Sequence, residues 1–181
     1  MNTATENLEN DHVYILRLIK VMEKMVYLKS TDIEDMETVV RVIQQYADGF
    51  HHAKEEKLLF PLLVQKGFSN EQGPVAVMLH DHIEGREFVK GMIVGIATYK
   101  LGTKEALDDV FKNMQGYAEL LRTHIGKENN VLFRMADRAL SEADHQELLS
   151  GFDEIETTVY SNGKIPQFIT EIEELENKYL A

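Results

Sequence analysis

Cysteine is absent from this 181-residue chain, which excludes disulfides, thiolate metal sites and iron–sulfur clusters. Only three prolines occur, Pro61, Pro74 and Pro166, so there is little for a turn-rich β architecture. Basic residues are in deficit: 19 Lys and Arg stand against 31 Asp and Glu, a net charge of −12. Nucleic acids and anionic membranes both want a basic face, so neither is an expected partner. No run approaches the roughly 18 apolar residues that span a bilayer. The first residues, Met1 to Glu6, are polar and carry no apolar signal region. A soluble cytoplasmic chain is the expectation, with residues 1–181 forming one domain.

What is present is repetition. His51-His-Ala-Lys54-Glu55-Glu-Lys-Leu-Leu59-Phe60 and His124-Ile-Gly-Lys127-Glu128-Asn-Asn-Val-Leu132-Phe133 share the form H-x-x-K-E-x-x-x-L-F. His at i and Glu at i+4 lie one turn apart on one helix face, where a ring nitrogen and a carboxylate can meet at one ion. A second repeat precedes each copy. Asp11-His12-Val13, followed by Lys20 and Met22, matches Asp81-His82-Ile83, followed by Lys90 and Met92. A duplicated helical hairpin accounts for both, with residues 4–66 and 74–138 as its halves.

Hydrophobic residues make up 44% of the chain and recur at helical spacing, which predicts an all-α fold. A first helix runs from about residue 4 to Leu28 with the stripe Leu8, His12, Ile15, Ile19, Met22, Val26. After a break at Ser30–Asp32, a second helix to about Gln65 carries Met36, Val40, Ile43, Ala47, His51, Glu55, Leu58 and Leu62 inward. A loop from Gly67 to Gly73 leads to a third helix with Val75, Leu79, His82, Val89, Ile93 and Ile96, ended by Gly102. The fourth, from Thr103 to Leu140, has the stripe Val110, Met114, Tyr117, Leu121, His124, Glu128, Val131, Met135. These four form an antiparallel up-down-up-down four-helix bundle over about residues 4–140. A capping box at Ser141–Asp144 then opens a C-terminal helical extension over about 141–181, broken at Ser161–Gly163.

Six polar residues interrupt the apolar rows: His12, His51, Glu55, His82, His124 and Glu128. A buried carboxylate without a partner costs several kcal/mol. Lys54 and Lys127 fall off the inner rows, and Arg86 can neutralise only one carboxylate, so bound cations account best for the set. Counted at ~1.5 Å per residue, His12 and His51 stand roughly 27 and 30 Å from the first inter-helix turn. His82 and His124 stand roughly 30 and 31 Å from the third turn, so all four histidines fall in one layer. Nitrogen and oxygen donors without sulfur suit iron or manganese, with zinc as an alternative. Two ions bridged by two carboxylates, with a bridging water or oxo group, complete the expected centre. The rival register His52/Glu56 has no counterpart in the second copy, where Ile125 and Asn129 stand. His80 and His145 are expected at the surface, Arg86 as an ion-pair partner, and Phe50, Phe60 and Phe133 in the core. The Glu171–Glu176 run is expected to be a solvated face.

The ordered set Asp11-His12, His51-x3-Glu55 with Leu-Leu-Phe-Pro61, Asp81-His82-x3-Arg86 and His124-x3-Glu128 with Val-Leu-Phe133 resembles the hemerythrin-like, or HHE cation-binding, family. The resemblance covers about residues 8–138 and implies a four-helix bundle around a non-haem di-iron centre. Oxygen-carrying members use five histidines, with an H-x3-H pair on the third helix. Here Met78 stands four residues before His82, and His80 lies on another face. The set is closer to members with four His and two Glu. The resemblance implies a protein that binds or senses oxygen or a small oxidant, or handles iron, with no catalytic group singled out. A di-iron oxidase or peroxidase-like enzyme, or one answering nitric oxide or iron damage, is the alternative. A metal-free structural bundle is the third reading.

Overall fold

The structure, a computed structural model, describes residues 3–161 and 163–181. Met1 and Asn2 of the expected polar start, and Asn162 of the expected break, lie outside the described residues. Helices joined by short loops make up the described residues, with no strand among them. Helix α1 is Ala4–Tyr27, α2 covers residues 33–65, and α3 is Gly73–Lys100. Helix α4 covers residues 106–139, α5 begins at Glu142–Glu154 and runs on through Ile155–Val159, and α6 is Lys164–Tyr179.

The boundaries follow local chemistry. Thr3 caps α1 in a reciprocal box with Glu6, Asp32 caps α2 through the Asp35 N–H, and Ser141 with Asp144 forms the expected box at α5. Gly102 (φ 104°) takes the left-handed conformation that stops α3. Helix α1 packs on α2 and α4, and α3 packs on α2 and α4, so the four long helices close a ring. Helices α5 and α6 lie chiefly against α1 and α2.

Helices α2 and α4 depart from regular α geometry at equivalent places. Glu55–Leu59 and Glu128–Leu132 are π-helical, and the N–H groups of Phe60 and Phe133 reach five residues back to the carbonyls of Glu55 and Glu128. Each widened turn holds one extra residue. This corrects the expected inner rows. Past the glutamates, Leu59, Leu63, Leu132 and Ala136 are buried, whereas Leu58 and Leu62 are only half-buried and Val131 and Met135 are exposed. A strict 4-3 count cannot anticipate a turn with an added residue. In α3 the inner positions include Met78 and Met92, while Ile93 is exposed.

Two apolar cores result. One joins Ile19, Met22, Met36, Val89, Met114 and Phe168, and the other joins Leu8, Leu63, Val75, Phe133 and Leu148. Helix α6 is tied down by Arg17 to Glu176, Arg41 to Glu171 and Lys178 to Asp32. Of the acidic run expected to face solvent, Glu173 and Glu174 do so, while Glu171 and Glu176 form these ties.

Candidate metal centre

All six residues picked from the sequence meet in a buried layer between the two cores, each with 2% exposure or less. Helix α1 supplies His12, α2 supplies His51 and Glu55, α3 supplies His82, and α4 supplies His124 and Glu128. The Nε2 atoms of His12 and His51 are 3.0 Å apart. Those of His12 and His124 each lie 3.2 Å from Glu128 Oε2, and that of His82 lies 3.4 Å from Glu55 Oε2. The donor atoms form two overlapping groups, each within 4.8 Å: His12, His51, Glu55 and Glu128, and His52, Glu55, His82 and His124. Glu55 belongs to both.

Around this layer runs an outer row that repeats across the two halves. His51 Nδ1 meets Asp11 at 3.1 Å, and His124 Nδ1 meets Asp81 at 3.2 Å. Lys54 donates to Asp11 (2.7 Å) as Lys127 does to Asp81 (2.6 Å). His12 Nδ1 meets Asn129 Oδ1 at 2.7 Å, and His82 Nδ1 meets Glu56 Oε1 at 2.7 Å. Asn129 and Glu56 hold the same position in their motifs. Each aspartate of the Asp-His pair thus orients the histidine of the following helix, not its own neighbour. An Nδ1 proton donated outward from a ring leaves its Nε2 lone pair facing inward, the form in which imidazole binds metal.

The charges do not close without cations. Lys54 and Lys127 are taken by Asp11 and Asp81, and Arg86 by Asp48 and Glu56. None reaches Glu55 or Glu128, whose four oxygens are buried and lack a hydrogen-bond donor. Two fully buried carboxylates facing imidazole lone pairs are a poor structural core and a good donor set for hard or borderline cations. Nitrogen and oxygen donors at this density fit iron, manganese or zinc.

Protonation states follow the same geometry. Burial, and then the charge of His12, keeps the His51 imidazole well below its ordinary range. Burial and the neighbouring His82 do the same for His52. Burial also resists protonation of His82, but Glu55 and Glu56 outweigh it and raise the group to about 9. Burial and then the charge of Glu128 push Glu55 up. Glu128 is held low by His124 and His12 against its burial. The carboxylates thus favour protonation of His12 and His82, and a cation held at this layer would compete with those protons.

Three sequence expectations are corrected. Lys54, placed off the inner row, is 2% exposed, and its ammonium lies 4.0 Å from the centre of the Phe50 ring. His145, placed at the surface, is buried and accepts a hydrogen bond from the Ala4 N–H at 3.3 Å, because α5 docks on the start of α1. His52, set aside with the rival register, is buried within the layer. Ile43–His52 is π-helical, which turns two consecutive histidines toward the interior. The His-His pair is the only sequence sign of this, and no repeat backs it. Its proposed mate Glu56 instead belongs to the outer row. His80 is exposed, as expected.

A buried histidine–carboxylate cluster held by helices on all sides defines a helical cation-binding protein. The family comparison agrees: residues 3–136 match the Hemerythrin HHE cation binding domain, and the chain belongs to that family. An uncharacterized protein of Mycobacterium tuberculosis H37Rv is 18% identical over 178 residues, covering 96% of this chain and 69% of that protein. The iron-sulfur cluster repair protein YtfE of Pectobacterium carotovorum is 34% identical over 91 residues, covering 49% of this chain and 41% of that protein. YtfE of Escherichia coli O1:K1 is 36% identical over 90 residues, covering 48% and 40%. No solved structure matches the chain. No helix among the described residues is long and apolar enough to cross a membrane.

Proposed function

We propose that this chain is an up-down-up-down four-helix bundle holding two iron ions and meeting a small oxidant, such as oxygen, through them. The observation that carries the reading is the set of buried carboxylate oxygens on Glu55 and Glu128, none with a hydrogen-bond partner and none reached by a lysine or arginine. His12, His51 and Glu128 would hold one ion, His82 and His124 the other, and Glu55 would serve both. Iron is favoured by the sulfur-free donor set, by the family and by the named role of the YtfE relatives. The ions would supply electrons and open coordination positions.

The chain's own residues orient the imidazoles, exclude water and control approach. Asp11, Asp81, Glu56 and Asn129 fix the rings. The apolar cores above and below exclude bulk water. A cleft of about 290 Å³ between α2 and α3, lined by Asp48, His52, His82, Arg86 and Tyr117, reaches the layer from one side. It is wide enough for a diatomic or peroxide to reach the layer.

Metal analysis of the purified chain, joined to an anaerobic-to-aerobic absorption titration, tests the proposal. Close to two irons per chain and a reversible absorption change on adding oxygen to the reduced protein are expected. No stoichiometric metal, and no loss of stability on chelation, would sink it. The partial likeness to YtfE favours a second reading, a role in iron handling or repair. That reading, or an oxidase, predicts iron transfer or sustained oxidant consumption with an electron donor in place of reversible binding.

A further inference from the structure

We propose that His52 is a fifth imidazole donor of this centre, binding the ion shared by Glu55, His82 and His124. The proposal rests on the dinuclear reading above and adds a residue that the repeat does not contain. His52 has the arrangement seen at His82 and His124. Its Nδ1 meets a carboxylate, Asp48, at 3.3 Å, and its buried Nε2 has no hydrogen-bond partner. Its ring stacks on that of His82 with centroids 3.8 Å apart and planes 14° from parallel. Its donor atom falls within 4.8 Å of those of Glu55, His82 and His124.

One guanidinium organises both stacked rings. Arg86 donates to Asp48 at 2.6 Å and to Glu56 at 2.8 Å, and these two carboxylates are the Nδ1 partners of His52 and His82. A histidine serving only as packing would be expected to pair both ring nitrogens, whereas the buried Nε2 of His52 pairs with nothing. Imidazoles whose Nδ1–H is held by a carboxylate are the usual form of a metal-binding histidine. The second half has no equivalent. Ile125 occupies the matching position, and the helix ahead of it is regular α, so its side chain joins the apolar core. The centre is therefore lopsided, with three imidazoles in one donor group, of which His52 and His82 line the cleft, and two in the other.

Loading the full chain with cobalt(II) and counting hyperfine-shifted, solvent-exchangeable imidazole N–H resonances by proton NMR tests the assignment. Each bound ring contributes one Nδ1–H, so the native protein should show five such resonances and His52→Gln four. Asp48→Asn keeps the imidazole but removes its orienting partner, and should weaken the second ion roughly 10–100-fold in a chelator competition. Four resonances in the native protein, with two ions bound, would overturn the proposal and leave the dinuclear reading intact. Fewer than two ions in the native protein would instead defeat the dinuclear reading, and the proposal with it.

Discussion

The two halves of this molecule carry the same motif in different surroundings. In the first, Lys54 is 2% exposed beneath α5, beside Phe50 and Phe152, and Asp11 also faces His51. In the second, the side chain of Lys127 keeps 37% of its surface while making the same bond to Asp81. Histidine at position 52 faces isoleucine at 125, and a carboxylate at 56 faces an amide at 129. Duplication thus accounts for the shared frame, and the C-terminal helices for the unequal burial of equivalent residues.

The largest expected effect separates shared from unshared donors. Glu55 belongs to both donor groups, so Glu55→Ala should abolish binding of both ions, whereas His124→Ala should lower metal content below two per chain. Elemental analysis of the two variants decides this, and unchanged occupancy in either would count against the donor assignment.

The aspartates come next. Asp11→Asn leaves a buried ammonium without its countercharge and should cost roughly 3–5 kcal/mol in urea unfolding of the metal-free chain. Asp81→Asn leaves a half-exposed lysine that water can reach, with a cost of about 1 kcal/mol. Equal costs would show that α5 does not set the difference.

Exchanging the outer partners sharpens the contrast between the two sides of the centre. Glu56→Gln removes a charge behind His82, and Asn129→Asp adds one behind His12. The first should weaken metal binding roughly 10-fold and the second should strengthen it, both read by chelator competition. The smallest effect runs the other way. Gly126 stands where the first copy has Ala53, and a Cβ there meets nothing within 4 Å. Gly126→Ala should therefore stabilise the chain by about 0.5–1 kcal/mol without changing metal content, checked by thermal melting and elemental analysis.

Much of the site is legible in the sequence. The i, i+4 spacing of His51 with Glu55 and of His124 with Glu128 places donors on one face whatever lies around them. Chain lengths from the turns put four histidines at one level. The helix limits are legible too, because Thr3, Asp32, Ser141 and Gly102 act through local hydrogen bonds and backbone preference. Less legible are the roles of Asp11 and Asp81, whose partners lie on a neighbouring helix, and of His145, which only the docking of α5 buries. His52 is hidden for another reason: a π-helical stretch changes which residues share a face, and periodicity assumes that the turn is constant.

By itself the sequence determined the helical frame, the repeat and the six candidate donors that the repeat marks, since these depend on spacing along single helices. The tertiary structure alone decided which aspartate holds which histidine, which lysine is buried, and that one half offers an extra imidazole. Those outcomes depend on contacts between helices far apart in the chain, and on wide turns that local propensity does not announce.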